Sequence, residues 1–276
     1  MRKRRTSWAR RILEVVLWVI AATMILVPLW LLVSVAFKTG QDAYTGLALP
    51  SPWYIGNFVT AWTQGGLGRA FVVSILITSV SVVITIAVSA LASYPLSRAK
   101  GFWIGALFAL FMLGIIVPAN LGVFPLYANM LHLGLVGTLT AVIVIYIGQT
   151  VPLTVFLYTA FLRELPREYE EAARIDGAGW FRTFWSVIFP LMRPVTGTVL
   201  VVNGIGIYND FFVPLLYLNG GNNATVPLAL RQFASTYFTN NGVIFAGLLM
   251  ALLPVIIFYI FLQKRVIAGF AGGLKG

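Results

Sequence analysis

Long apolar runs without a charged residue cover residues 15–37, 70–97, 101–162 and 232–263. Runs of this length constrain the fold more than anything else in the sequence. A helix needs about 20 apolar residues to cross the hydrocarbon core of a bilayer. The strands of a membrane barrel are shorter and alternate in polarity, and these runs do neither. Inside lipid the backbone must satisfy its own hydrogen bonds, so such runs are helical. The reading is an all-α integral membrane protein with six transmembrane helices, near residues 13–36, 70–95, 103–125, 138–160, 193–217 and 243–263. The third run holds two spans, separated by a turn rich in Gly and Leu at residues 131–137. The fifth span is interrupted by Asp210. A basic leader, residues 1–12, precedes a transmembrane domain covering residues 13–276.

Composition supports the same class. Apolar residues make up 59% of the chain and charged residues 10%, against about 25% charged in a soluble domain. The chain has no cysteine, which excludes disulfides, Cys-ligated zinc, iron–sulfur clusters and thiol catalysis. Its single histidine, His132, falls in the turn between the third and fourth spans and reads as exposed or interfacial. A histidine-based metal site or triad is not expected.

The net charge of +11 reports orientation. With six spans both termini share one side. That side collects every basic residue except Lys38, Arg69 and Arg231. The positive-inside rule makes it cytoplasmic. The charge lies at membrane edges and forms no aromatic-interleaved stripe, so nucleic acid is not an expected partner. The apolar part of the first run is longer than a signal-peptide core, and no small-x-small cleavage site follows it, so the first span reads as a retained anchor. Outside, residues 38–69 and 219–241 are too short to fold alone. Each reads as a cap or partner contact, or as an interfacial connector carrying belt aromatics such as Trp53, Tyr54 and Trp62.

The cytoplasmic loop, residues 163–192, holds five of the eight acidic residues: Glu164, Glu168, Glu170, Glu171 and Asp176. Pro166 suits a helix start, and the glutamates that follow complement the positive end of the helix dipole. Arg167–Glu171 and Glu170–Arg174 are spaced as i,i+4 ion pairs. Tyr169, Ala172, Ala173 and Asp176 share one helical face, where two alanines permit close approach of another surface. Gly177, with Gly179, ends the helix and allows a sharp turn. Trp180, Phe181, Phe184 and Trp185 form an aromatic segment suited to the membrane interface, and Pro190 and Pro194 mark entry to the fifth span. No G-x4-G-K-[ST] phosphate loop occurs anywhere.

Glu171-Ala172-Ala173, three residues, Gly177, nine residues, then Val187-Ile188-Phe189-Pro190 resembles the EAA loop of binding-protein-dependent ABC importer permeases, EAA-x3-G-x9-I-x-L-P. Val187 and Phe189 depart from it by apolar swaps. Arg174-Ile175-Asp176-Gly177 resembles the "IDGA" of the sugar-transporting branch, the maltose-transporter-type small permease subunit. The stretch from Tyr208-Asn209-Asp210 to Leu215 is similar to that branch's "WNDFLFPL", with Tyr208 replacing Trp. The tail from Gly269 to Gly276 is similar to its "GLTAGAVKG" ending. The resemblance implies a type I ABC importer permease fold and a cytoplasmic EAA coupling helix seated in a cleft of an ATPase subunit. By the match Glu171 makes the charged contact, Ala172 and Ala173 allow close seating, and Gly177 gives the turn. Glu170, Arg174 and Asp176 belong to the same coupling segment. The implied partners are a second permease subunit, two cytoplasmic ATPase subunits and an extracytoplasmic solute-binding protein, in the inner or plasma membrane of a prokaryote. ATP and Mg2+ belong to the ATPase; this chain binds no cofactor and catalyses no step.

Among membrane residues, Asp210 is the one acid well inside a span, and intramembrane ionisable groups are functional candidates by default. With Tyr208 and Asn209 it offers hydroxyl, amide and carboxyl groups suited to a sugar or polyol. A structural contact or an interfacial position is the other reading. Asn120, Tyr146, Gln149 and Asn203 read as interhelical hydrogen-bond residues. Gly101 and Gly105 form a G-x3-G that suggests close helix packing. The expected function is therefore half of the translocation pathway of an ATP-driven sugar importer. A non-sugar solute in the same importer class is the alternative. A stand-alone secondary transporter would need inverted repeats that are not evident, and a membrane enzyme would need an acid or histidine cluster at one face.

Overall fold

A computed structural model describes residues 8–39, 42–43, 46–218, 223–236 and 240–272. Most of the basic leader and the last four residues of the tail lie outside the described residues, as does the side chain of Asn120. The elements are helical throughout the described residues. In chain order they are α1 (Trp8–Ala36), α2 (Gly56–Thr63), α3 (Leu67–Arg98), α4 (Phe102–Ile116), α5 (Val123–His132), α6 (Leu139–Glu164), α7 (Glu168–Ile175), α8 (Trp180–Thr183), α9 (Phe189–Leu191), α10 (Arg193–Asn209), α11 (Phe212–Tyr217), α12 (Val226–Thr236) and α13 (Asn241–Gly272). A π-helical turn, Phe184–Ile188, joins α8 to α9.

Three helical stretches are long and apolar enough to cross a membrane: Arg10–Ala36, Leu67–Arg98 and Leu139–Glu164. A fourth is the pair Trp180–Leu191 and Arg193–Asn209, bent by 71°. Phe102–Ile116 and Asn241–Ile257 are shorter apolar helices. The expected single span at 103–125 is thus interrupted. Val117 is extended (φ −72°, ψ 118°) because Pro118 disfavours the helical region for the residue before it. A 3₁₀ turn, Ala119–Gly122, then leads into α5.

The chain divides into two compact units. In the first, Met1–Leu67 with Leu230–Leu253, the segment after α1 is pinned to the end of that helix. Trp30 Nε1 donates to Leu47 O at 2.9 Å, Ser34 Oγ to Ala48 O at 2.6 Å, and Lys38 Nζ to Gly46 O at 2.9 Å. The buried amide of Asn57 donates to Ala36 O at 2.9 Å and to Lys38 O at 2.7 Å. These are carbonyls that the end of a helix leaves without partners. Gly242 of α13 packs against the Lys38 carbonyl and Asn57 so closely that a Cβ has no room.

The second unit, Gly68–Ala229 with Pro254–Gly276, carries the main core. Ala90 and Tyr94 of α3, Tyr158 and Leu162 of α6, Phe184 and Ile188 of the π turn, Met192, and Val195 and Val199 of α10 pack together. The expected interfacial aromatic segment is therefore split. Trp180 and Phe181 are exposed, whereas Phe184 is fully buried, packed with Tyr94 of α3 and clustered with Tyr158 and Leu162 of α6. Helix α4 buries no residue and is apolar all round, the pattern of a helix immersed in lipid or in other protein.

Among the described residues the Gly101–Gly105 pair seats no neighbouring helix: a Cβ at either position meets no atom within 4 Å. Close contact between α4 and α6 falls instead at Gly114, where a Cβ would lie 2.8 Å from Pro152 Cγ. Gly114→Leu should therefore lower stability by about 1–3 kcal/mol through overpacking, and Gly105→Leu should stay within about 0.5 kcal/mol of the parent. Thermal loss of the monodisperse detergent peak measures both. Equal losses would show that Gly114 has no special role.

Candidate functional site

The polar loop between α6 and α10 forms a two-helix knob. Helix α7 is one two-turn helix with Glu168, Glu170 and Glu171 in its first turn and Arg174 in its last, charges placed to suit its dipole. It ends in a Schellman motif. Ala178 N–H donates to Ala173 O at 2.9 Å and Gly177 N–H to Arg174 O at 3.0 Å, while Gly177 takes φ +77°. Glycine is needed there for its backbone, since a Cβ would meet no neighbour.

The i,i+4 pairs expected along α7 give way to contacts with α3. Glu170 is buried, and its carboxylate accepts from Arg98 Nε at 2.7 Å. Arg98 Nη2 donates to Leu165 O at 3.0 Å, and Arg167 Nη2 donates to Arg98 O at 3.3 Å. Glu170 and Ala173, three residues apart, thus face the protein. The EAA resemblance groups both with residues that meet a partner. Glu170 anchors the helix, and Ala173 packs inward with it. Glu171, Ala172, Arg174, Asp176 and Gly177 are exposed, with Tyr169 and an Ile175 that is 86% accessible at the tip. Heptad position could not tell Ala172 from Ala173, because the inward direction depends on where Arg98 stands.

The second candidate site lies where α10 breaks. Asp210 is the C-cap of α10 with ψ 130°. Its Oδ1 accepts from Phe212 N–H at 3.0 Å and its Oδ2 from Val213 N–H at 3.2 Å, so it caps α11. Oδ2 also accepts from the Tyr146 hydroxyl of α6 at 2.9 Å. The carboxylate thus holds the break between α10 and α11 against α6. An open cleft of about 570 Å³ adjoins it, lined by Tyr146, Gln149, Thr150, Asn203, Gly206, Asn209 and Asp210 among others. Gln149 and Asn209 are exposed in it. Asn203 Nδ2 donates to Thr154 Oγ1 at 2.9 Å, and Thr150 Oγ1 lies 2.9 Å from Thr85 Oγ1.

Tyr208 does not join Asn209 and Asp210. Its buried side chain lines a separate cavity of about 170 Å³ with Ile75, Thr78, Gly204 and Pro254. Successive helical residues point about 100° apart, so sequence adjacency does not bring them together. Thr150 is the cleft residue that sequence reasoning passed over, and Gln149, expected to make an interhelical hydrogen bond, is exposed in the cleft. The signal is a row of polar residues at 146, 149, 150 and 154, spaced for one face of α6. Among the described residues no acid or histidine cluster could hold a metal.

A helical bundle built this way is the fold of an ABC importer permease. It matches the structure of a bacterial ABC transporter involved in import of the acidic polysaccharide alginate, with TM-score 0.82 over 95% of this chain and 99% of that one at 22% identity. The chain belongs to the family described as the binding-protein-dependent transport system inner membrane component, whose pattern matches residues 88–269. It is a multi-pass membrane protein. It is 34% identical over 278 residues, covering 100% of both chains, to the melibiose/raffinose/stachyose import permease protein MelC of Bacillus subtilis. It is 33% identical over 265 residues, 94% of both chains, to the multiple sugar-binding transport system permease protein MsmG of Streptococcus mutans.

Two substitutions read the local geometry. Gly177→Ala should cost about 1–2 kcal/mol through its left-handed backbone alone, seen as faster protease cleavage in the loop. Asp210→Ala should cost about 1–2 kcal/mol by uncapping α11, seen as a lower melting temperature. No change in the melting temperature would place the stabilisation of the break elsewhere.

Proposed function

We propose that this chain is the permease subunit of an ATP-driven, binding-protein-dependent importer and forms half of the translocation pathway for a sugar or related polyol. The carrying observation is the knob. Its tip presents Glu171, Ala172, Ile175 and Asp176 outward, held by the Schellman turn and by the buried Glu170 anchor. A rigid, partly apolar projection with a charge beside a small residue fits a cleft on another protein. In this reading α7 is the coupling helix, and Glu171 makes the charged contact to a cytoplasmic ATPase that binds ATP and Mg2+. The chain has no phosphate loop of its own. Arg174 borders the contact, and Gly177 sets the angle between the two arms.

The topology proposed is six spans with both termini cytoplasmic, by the distribution of basic residues. The fourth and fifth spans enclose the cleft beside Asp210. Its hydroxyl and amide groups suit a polyhydroxy solute, and the relatives MelC and MsmG are named for sugar transport. Within the cleft Asn209 and Gln149 face the pathway, and Asp210 shapes the break that exposes them. The assembly proposed is two permease subunits, two ATPases and an external solute-binding protein. Nucleotide-driven closure of the ATPases biases a two-state alternating-access equilibrium.

The test is purification of the tagged chain from native membranes in mild detergent, with mass spectrometry of the co-purifying chains. A phosphate-loop ATPase and a second permease are expected. Glu171→Lys should reduce ATPase recovery at least about tenfold, the worth of one charge-assisted contact, with membrane insertion intact. Undiminished recovery in that variant would remove the coupling assignment. The parent chain purifying alone would overturn the importer reading.

A further inference from the structure

The covalent connections of the knob to its neighbouring long helices are both non-helical or bent. From α6 the chain passes through Leu165 in extended conformation (ψ 124°) before Pro166. Into α10 it turns through 71° at Met192. Neither link transmits a push along a helix axis. Helix α3, far away in sequence, holds the knob by both arms. Its last residue, Arg98, bonds Glu170 of α7 through Nε at 2.7 Å and the Leu165 carbonyl through Nη2 at 3.0 Å. Arg167 returns a bond to the Arg98 carbonyl. The Arg98 and Glu170 side chains are 13% and 8% exposed, so the pair is largely shielded from water and salt. One turn earlier Tyr94, itself buried, packs on Trp180 at 5.8 Å and Phe184 at 5.5 Å between ring centroids, which belong to the second arm.

We propose that Arg98 is a positioning residue that makes α3 the element moving rigidly with the coupling knob, so that force from the ATPase enters the membrane through α3 and the end of α6 that the same guanidinium holds, while the bent link to α10 flexes. This rests on the coupling reading above. Two donors in a fixed guanidinium fork tie the α7 carboxylate and the α6 C-cap to one helix end, and the Tyr94 contacts prevent the knob from pivoting about that point. The bent link to α10 serves as the hinge, and a contact distant in sequence serves as the strut.

This chain has no cysteine of its own, so spin-label pairs introduced into it are read in the intact complex, purified through a tag on this chain, placed in lipid nanodiscs and compared with the same complex carrying no introduced cysteine. One pair joins Glu168→Cys of α7 to Val88→Cys of α3; a reference pair joins Glu168→Cys to Val202→Cys of α10. Both are measured without nucleotide and in the ADP–vanadate state. The expected result is a shift of the α10 pair and an unmoved, narrow α3 pair. Arg98→Ala should broaden or shift the α3 pair on trapping, and Arg98→Lys, which keeps a cation for Glu170, should restore much of its narrowness. If the parent α3 pair shifts as far as the reference, the strut is overturned while the coupling reading stands. If neither pair moves in a complex that hydrolyses ATP, the knob does not move and both are overturned. The parent comparison decides the question even if Arg98→Ala fails to assemble.

Discussion

The structure depends on one constraint: a backbone group freed from a helix in an apolar setting must find a partner. The chain leaves helical geometry at few places, and side chains repeatedly meet it there. Asp210 takes the N–H groups of Phe212 and Val213 where α10 breaks. Arg98 takes the Leu165 carbonyl at the end of α6. Asn57 takes two carbonyls at the end of α1, and Asn223 takes the Gly137 carbonyl at the turn before α6. Polar residues that a composition count treats as exceptions are therefore what allows the helices to end.

The same economy shapes both candidate sites. An acid used as a helix cap creates an interruption, and the interruption opens a cleft with amide and hydroxyl groups on its walls. A buried acid on α7 turns one face of a short helix inward and thereby commits the other face outward. In each case the charged residue acts mainly by fixing backbone direction. The groups left exposed are its neighbours: Gln149 and Asn209 at the break, Glu171 and Ala172 on the knob.

The helical class and its long apolar runs were legible from the spacing of charges alone, because a missing charge over some twenty residues is a one-dimensional property. The interruption at Pro118 was less legible. Proline is tolerated within α1, α3, α6 and α13, so its presence does not by itself mark a break. The ending of α7 at Gly177 was readable, since the left-handed turn needs glycine. The i,i+4 ion pairs were a poor guide, because spacing along a surface helix says nothing of a stronger partner such as Arg98 arriving from elsewhere.

By itself the sequence determined the apolar helices, the polar loop between two of them, its Gly177 turn and its EAA spacing. These depend on residue type and local period, which need no knowledge of neighbours. Only the tertiary structure decided that Glu170 and Ala173 face inward while Glu171 and Ala172 face outward, that Tyr208 parts from Asn209 and Asp210, and that Gly114 rather than Gly105 seats α4 on α6. Each of these turns on which helix stands opposite. Opposition is fixed by packing and paired charges across some seventy residues of chain, as between Arg98 and Glu170, a separation at which local periodicity carries no information.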